Sequence, residues 1–127
     1  MLAVAPLVWG EIAVTDMERA VAFYQQHFNL SFHREVMDMM EMAIIETEVL
    51  DGANVALCKH PLMIPSLEGA TVYLHVTDKL NPLLETMSRA GVQILLPLTP
   101  IKGGEKGYIS LFVDSEGNKV GLWAKQQ

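Results

Sequence analysis

The strongest constraint on the fold is a repeat. Val14-Thr15-Asp16 returns 62 residues later as Val76-Thr77-Asp78. Three identical residues alone carry little weight, but their flanks repeat as well. Ahead of the first copy, Val8, Gly10, Ile12 and Val14 alternate with Trp9, Glu11 and Ala13. That is the period of a strand with two different faces. Ahead of the second, Val72, Leu74 and Val76 alternate with Thr71, Tyr73 and His75. Behind the first copy, Met17, Ala20, Val21, Tyr24 and Phe28 recur at helical spacing, as do Leu80, Leu83, Leu84 and Met87 behind the second. Thr15 with Glu18 three residues on fits a capping box, which predicts a helix start. Asn29 and Gly91 stand where each helix can stop in a left-handed conformation. Strand, cap, helix and stop at one offset, close to half the length, make a duplicated unit.

The remaining elements follow the same order twice. Strands are expected at 30–36, 42–49 and 54–59, with Asp51-Gly52 as a hairpin turn. Residues 60–69 contain Pro61 and Pro65 without periodicity and read as a connection. In the second copy a strand at 70–76 leads to a helix that starts near Asp78, or at Asn81 with Pro82 in its first turn. Strands at 92–96, 107–113 and 119–124 follow, with a loop over 97–106 carrying Pro100 and Gly103-Gly104. The last two strands are joined by a turn at Asp114-Ser115-Glu116-Gly117. The expected fold is α+β. It is a single domain over 1–127, built from tandem βαβββ modules at 1–60 and 70–127 joined by 61–69, with eight strands around a cleft and helices outside. One helix covers one face of a four-stranded sheet, so function is expected on the other face. Alternation assigns Ile12, Val14, Val55, Leu57, Leu74, Val76, Val120 and Leu122 to the helix side. It assigns Trp9, Glu11, Asn54, Ala56, Cys58, Thr71, Tyr73, His75, Gly121 and Trp123 to the cleft.

Composition narrows the partners. A net charge of -6 and a pI near 5.1 argue against nucleic acid or an anionic membrane. The single cysteine, Cys58, cannot form an internal disulfide, which fits a reducing cytoplasm. No basic residue precedes Glu11, so a signal peptide is not expected, and no run approaches the roughly 20 apolar residues of a membrane span. Half of the residues are hydrophobic, ample for a core.

The tandem βαβββ order, the stretch EIAVTDMERAVAFYQQHFNL and the closing FVDSEGNKVGLW resemble the vicinal oxygen chelate superfamily over nearly the whole chain. That superfamily includes glyoxalase I, methylmalonyl-CoA epimerase, extradiol dioxygenases, and fosfomycin and bleomycin resistance proteins. The resemblance implies a divalent metal on His or Glu side chains of the first and fourth strands in catalytic members. Those positions fall here on Trp9, Ala56, Thr71 and Gly121, none of them a good ligand. The chain looks most like a small metal-lacking, glyoxalase-related group with an E-I-x-V-x-D start and a G-L-W ending. Lactoylglutathione lyase activity is therefore not expected, and no cofactor is expected. The resemblance implies a homodimer.

Glu11, mid-strand and among apolar residues, needs a partner or a proton. The resemblance brings the strands of Glu11, His75 and Tyr73 through the middle of the module. Glu11 and His75 could then move a proton, with Tyr73 steadying an oxyanion. Alternatively, Glu11 hydrogen-bonds a neighbouring Tyr, Trp or backbone group. Trp9, Tyr73, Phe112 and Trp123 form an aromatic set expected to line the cleft, with Asn54 and Cys58 beside them. These rings either stack on a planar ligand or fill the cleft themselves. Lys59 and His60 beside Cys58 could lower its pKa; otherwise it is a small apolar core residue. Met37, Met39, Met40 and Met42 are either a lid or ordinary packing. Three functions remain open: capture of an apolar or aromatic small molecule, a metal-independent lyase or isomerase using Glu11 and His75, and a structural or regulatory dimer with a collapsed cleft.

Overall fold

The computed structural model describes residues 1–49 and 51–127. The chain divides into two compact units, Met1–Pro65 and Ser66–Gln127. Each is a four-stranded sheet with one long helix.

In the first unit β1 (Trp9–Ala13) leads to α1 (Met17–Phe28), then β2 (Phe32–Met37), β3 (Met40–Ile45) and β4 (Asn54–Lys59). The sheet order is β1-β4-β3-β2. β1 runs parallel to β4, and the remaining pairs are antiparallel. A parallel pair needs a long crossover, which α1 begins and the β2–β3 hairpin completes. The helix starts one residue later than the capping box implies. Asp16 is the N-cap, in extended backbone, and its carboxylate accepts from the Arg19 amide at 3.0 Å. Thr15 instead accepts from the Arg19 guanidinium at 3.2 Å. Asn29 ends α1 in the left-handed region at φ 52°, as expected. Met17, Ala20 and Tyr24 form the buried stripe and pack toward β4 and β3, where Ala43 and Leu57 are buried.

In the second unit β5 (Tyr73–Val76), α2 (Leu80–Arg89), β6 (Ile94–Pro100), β7 (Tyr108–Val113) and β8 (Lys119–Ala124) give the order β5-β8-β7-β6. A short 3-10 turn, Lys102–Gly104, lies between β6 and β7. α2 has Lys79 at its N-cap with no side-chain bond. The backbone carbonyls of Gln126 and Gln127 take its first amides instead, from Leu80 at 3.1 Å and Asn81 at 2.9 Å. Gly91 follows the helix at φ +88°. β6 is longer than the expected 92–96. As an edge strand it tolerates Pro97 and Pro100, and two register shifts absorb the irregularity. Leu80, Leu84 and Met87 of α2, with Phe112, Val120 and Leu122, form the buried core.

Candidate functional site

Strand register decides which side chains share the face away from each helix. In the first unit that face carries Trp9 beside Asn54, Glu11 beside Ala56, and Ala13 beside Cys58. Met42 lies next to Cys58 and Ile44 next to Ala56 on the following strand. Much of this face is closed by the unit's own side chains. Met42, Ala56 and Cys58 are buried, with Met40, Ile44 and Met63 packed against them. The methionine-rich stretch thus divides, since Met37 and Met39 stay exposed.

Glu11 is the polar centre of this face. Its carboxylate accepts from the Trp9 indole N–H at 3.2 Å, the kind of local bond expected of a carboxylate on an apolar strand. Residues two apart on a strand share a face, so β1 alone sets this contact. Trp9 remains 37% exposed. Asn54 is spent on its backbone surroundings, its amide donating to the Ile45 carbonyl at 2.7 Å. Of the two readings of Cys58, the structure favours the small apolar core residue over a thiol activated by Lys59 and His60. Burial, then the charge of Glu11 and a thiol hydrogen bond to it, push the thiol up to about 12. Lys59 follows Cys58 on the strand and so takes the opposite face, where it pairs with Glu41 in register. Cys58 is a buried neutral thiol, not an activated nucleophile.

In the second unit the corresponding face carries Tyr73 beside Gly121 and His75 beside Trp123. Ile109 and Leu111 continue it on β7. Phe112 does not belong here, which corrects its place in the aromatic set. It pairs with Val120 and is fully buried on the helix side, because it is one residue out of phase with Leu111. The other rings are fixed by glycines. A side chain at Gly121 would collide with the Tyr73 ring, so the ring lies over the bare backbone. At Gly107, with φ +86°, a Cβ would stand 2.8 Å from the Trp123 ring and 2.7 Å from the Ala124 carbonyl. Trp123 also donates its indole N–H to the Lys106 carbonyl at 2.9 Å. His75 meets Trp123 edge to face, centroids 5.0 Å apart. Tyr73 stays 46% exposed.

The positions at which the resemblance places a metal offer an indole, a methyl, a hydroxyl and a hydrogen, at Trp9, Ala56, Thr71 and Gly121. Ala56 lies under methionines and Gly121 under a tyrosine ring. This set does not fit a divalent cation. Among the described residues, no group of three or more His, Cys, Asp or Glu gathers elsewhere. Two features of the first unit leave no pattern in the sequence. His33 and Glu35, exposed on β2, pair at 3.3 Å. Met63 covers Cys58 from a connection that has no periodicity to reveal its contacts. No helix among the described residues is long and apolar enough to cross a membrane.

Solved structures show the same fold. TnmS3, an antibiotic binding protein from Streptomyces sp. CB03234, aligns with a TM-score of 0.71 at 20% identity, covering 98% of each chain. Glyoxalase I of Leishmania major aligns with a TM-score of 0.69 at 14% identity, over 94% of this chain and 86% of that one. A glyoxalase I mutant from Zea mays aligns with a TM-score of 0.67 at 21% identity, over 94% of this chain but 46% of that one. No curated protein sequence matches. The sequence pattern described as Glyoxalase/Bleomycin resistance protein/Dioxygenase superfamily matches residues 6–122, and the chain belongs to that superfamily.

Proposed function

We propose that the protein captures an apolar or aromatic small molecule, without a metal, using the sheet faces turned away from its helices. The observation that carries this is the treatment of Tyr73. A glycine at the family's metal position leaves room for its ring, and the ring is nonetheless 46% exposed. A ring braced from below and open above is a stacking surface. Trp9, exposed and oriented by Glu11, gives the first unit a similar one. An antibiotic binding protein among the structural relatives supports the same reading. The assembly is a homodimer, for which exposed Val36 and Met37 supply apolar surface.

The test uses a neutral aromatic probe, N-phenyl-1-naphthylamine, followed by its fluorescence. Saturable binding is expected, weakened roughly three- to tenfold by Tyr73→Ala or Trp9→Ala. Unchanged affinity in both variants would overturn the reading, as would stoichiometric nickel or zinc binding with glyoxalase turnover. A second reading, metal-independent proton transfer, draws on one observation. The Glu11 carboxylate is held by Trp9 yet lies on an exposed residue, as a general base must. Under that reading Glu11→Gln abolishes turnover of the substrate, and unchanged rates rule it out.

A further inference from the structure

The carboxyl ends of β1 and β4 open into a cavity of about 480 Å³, at the opposite end of those strands from Trp9 and Asn54. This volume suits a drug-sized molecule. Met39, Met63 and Ile64 supply much of an apolar wall, and methionine adapts to irregular partners. The polar groups are few and different in kind. The Glu41 carboxylate accepts from the Arg34 guanidinium at 3.0 Å, and Arg34 also holds Glu18 at 2.7 Å, so the Glu41 carboxylate is already engaged in an ion pair. Lys59 lines the cavity with an ammonium that, among the described residues, has no hydrogen bond or ion pair. His60 accepts the Leu62 amide at its Nδ1, 3.1 Å away, which leaves Nε2–H as the donor of the neutral ring. An apolar chamber with one ammonium that makes no ion pair among the described residues, and a neighbouring donor, complements an amphiphile with a single negative head.

We propose that this cavity is a second binding site, for a small apolar carboxylate. The carboxylate meets Lys59 and His60, and its hydrocarbon lies against Met39, Met63 and Ile64. The site shares no residue with the aromatic surfaces of Trp9 and Tyr73.

Sodium decanoate, below its micellar concentration, is the probe. It is titrated into protein carrying ¹³C-methyl methionine and followed by nuclear magnetic resonance. The Met39 and Met63 methyl signals are expected to shift together and saturate. Lys59→Ala should weaken binding about tenfold or more, Lys59→Arg should largely keep it, and decanol should bind at least about tenfold more weakly. Trp9→Ala should leave decanoate affinity unchanged, which separates this site from the aromatic one. Non-saturating shifts, equal affinity for decanol, or indifference to Lys59→Ala would each overturn the proposal. So would loss of binding in Trp9→Ala, which would place decanoate on the aromatic surface.

Discussion

The two units share a ladder and differ in what they do with a small residue on the fourth strand. In the first, Ala56 lies beneath a sulfur-rich layer of Met40, Met42 and Met63. In the second, Gly121 lies beneath one ring, Tyr73. Methionine fills space and seals a face, as the buried Cys58 shows. A tyrosine on glycine fills the same space but keeps a flat surface toward water. Duplication thus preserved register and topology while the exposed chemistry diverged. The sealed face suits stability, and the stacked face suits recognition.

The largest expected effect tests the seal. With its thiol near 12, Cys58 should react with iodoacetamide at pH 8 about a thousandfold more slowly in the native protein than in the unfolded chain. Glu11→Gln should recover part of that loss, because the carboxylate contributes to the shift. Rapid native labelling would show that the methionine layer is open. Next, Met42→Ala should lower unfolding free energy by about 2–4 kcal/mol, read by urea denaturation, because it empties a buried position. Tyr73→Ala should change it by less than about 1 kcal/mol. Gly121→Val should cost about 1–3 kcal/mol through collision with the ring, and much of that should return in the double variant with Tyr73→Ala. Additive costs would mean that the ring does not rest on Gly121.

The smallest effect sharpens the contrast between the helices. Asp16→Ala removes the side-chain cap of α1 and should cost about 1 kcal/mol. Lys79→Ala at the matching place in α2 should cost almost nothing, because the Gln126 and Gln127 carbonyls take the first amides there. Equal costs would contradict this division between a side-chain and a main-chain cap.

Much of the fold was legible because period and punctuation agreed. Alternation before each Val-Thr-Asp, helical stripes behind it and the stops at Asn29 and Gly91 all specify the same unit. The full length of β6 is hidden in the sequence because Pro97 and Pro100 read as breakers, whereas an edge strand has a free side to place them. The face of Phe112 is hard to read because Tyr108–Val113 is apolar on both faces, so alternation has no contrast to report. The only polar residue in that strand, Ser110, points inward and bonds the Leu96 carbonyl at 2.7 Å. Lys59 and His60 adjoin Cys58 in sequence, but its thiol answers first to burial and then to Glu11, across the parallel ladder. Electrostatics follows distance in space, and the strand pairing needed to find Glu11 is not a local property of the chain.

The two indoles have consequences beyond binding. Trp9 belongs to one unit and Trp123 to the other, and the chain has only these two. One is exposed beside a carboxylate, the other is fastened to a carbonyl with an imidazole at its edge. The molecule therefore carries two indole fluorophores in different surroundings, one per half. Replacing either with phenylalanine leaves an optical readout of a single unit, with no dye attached.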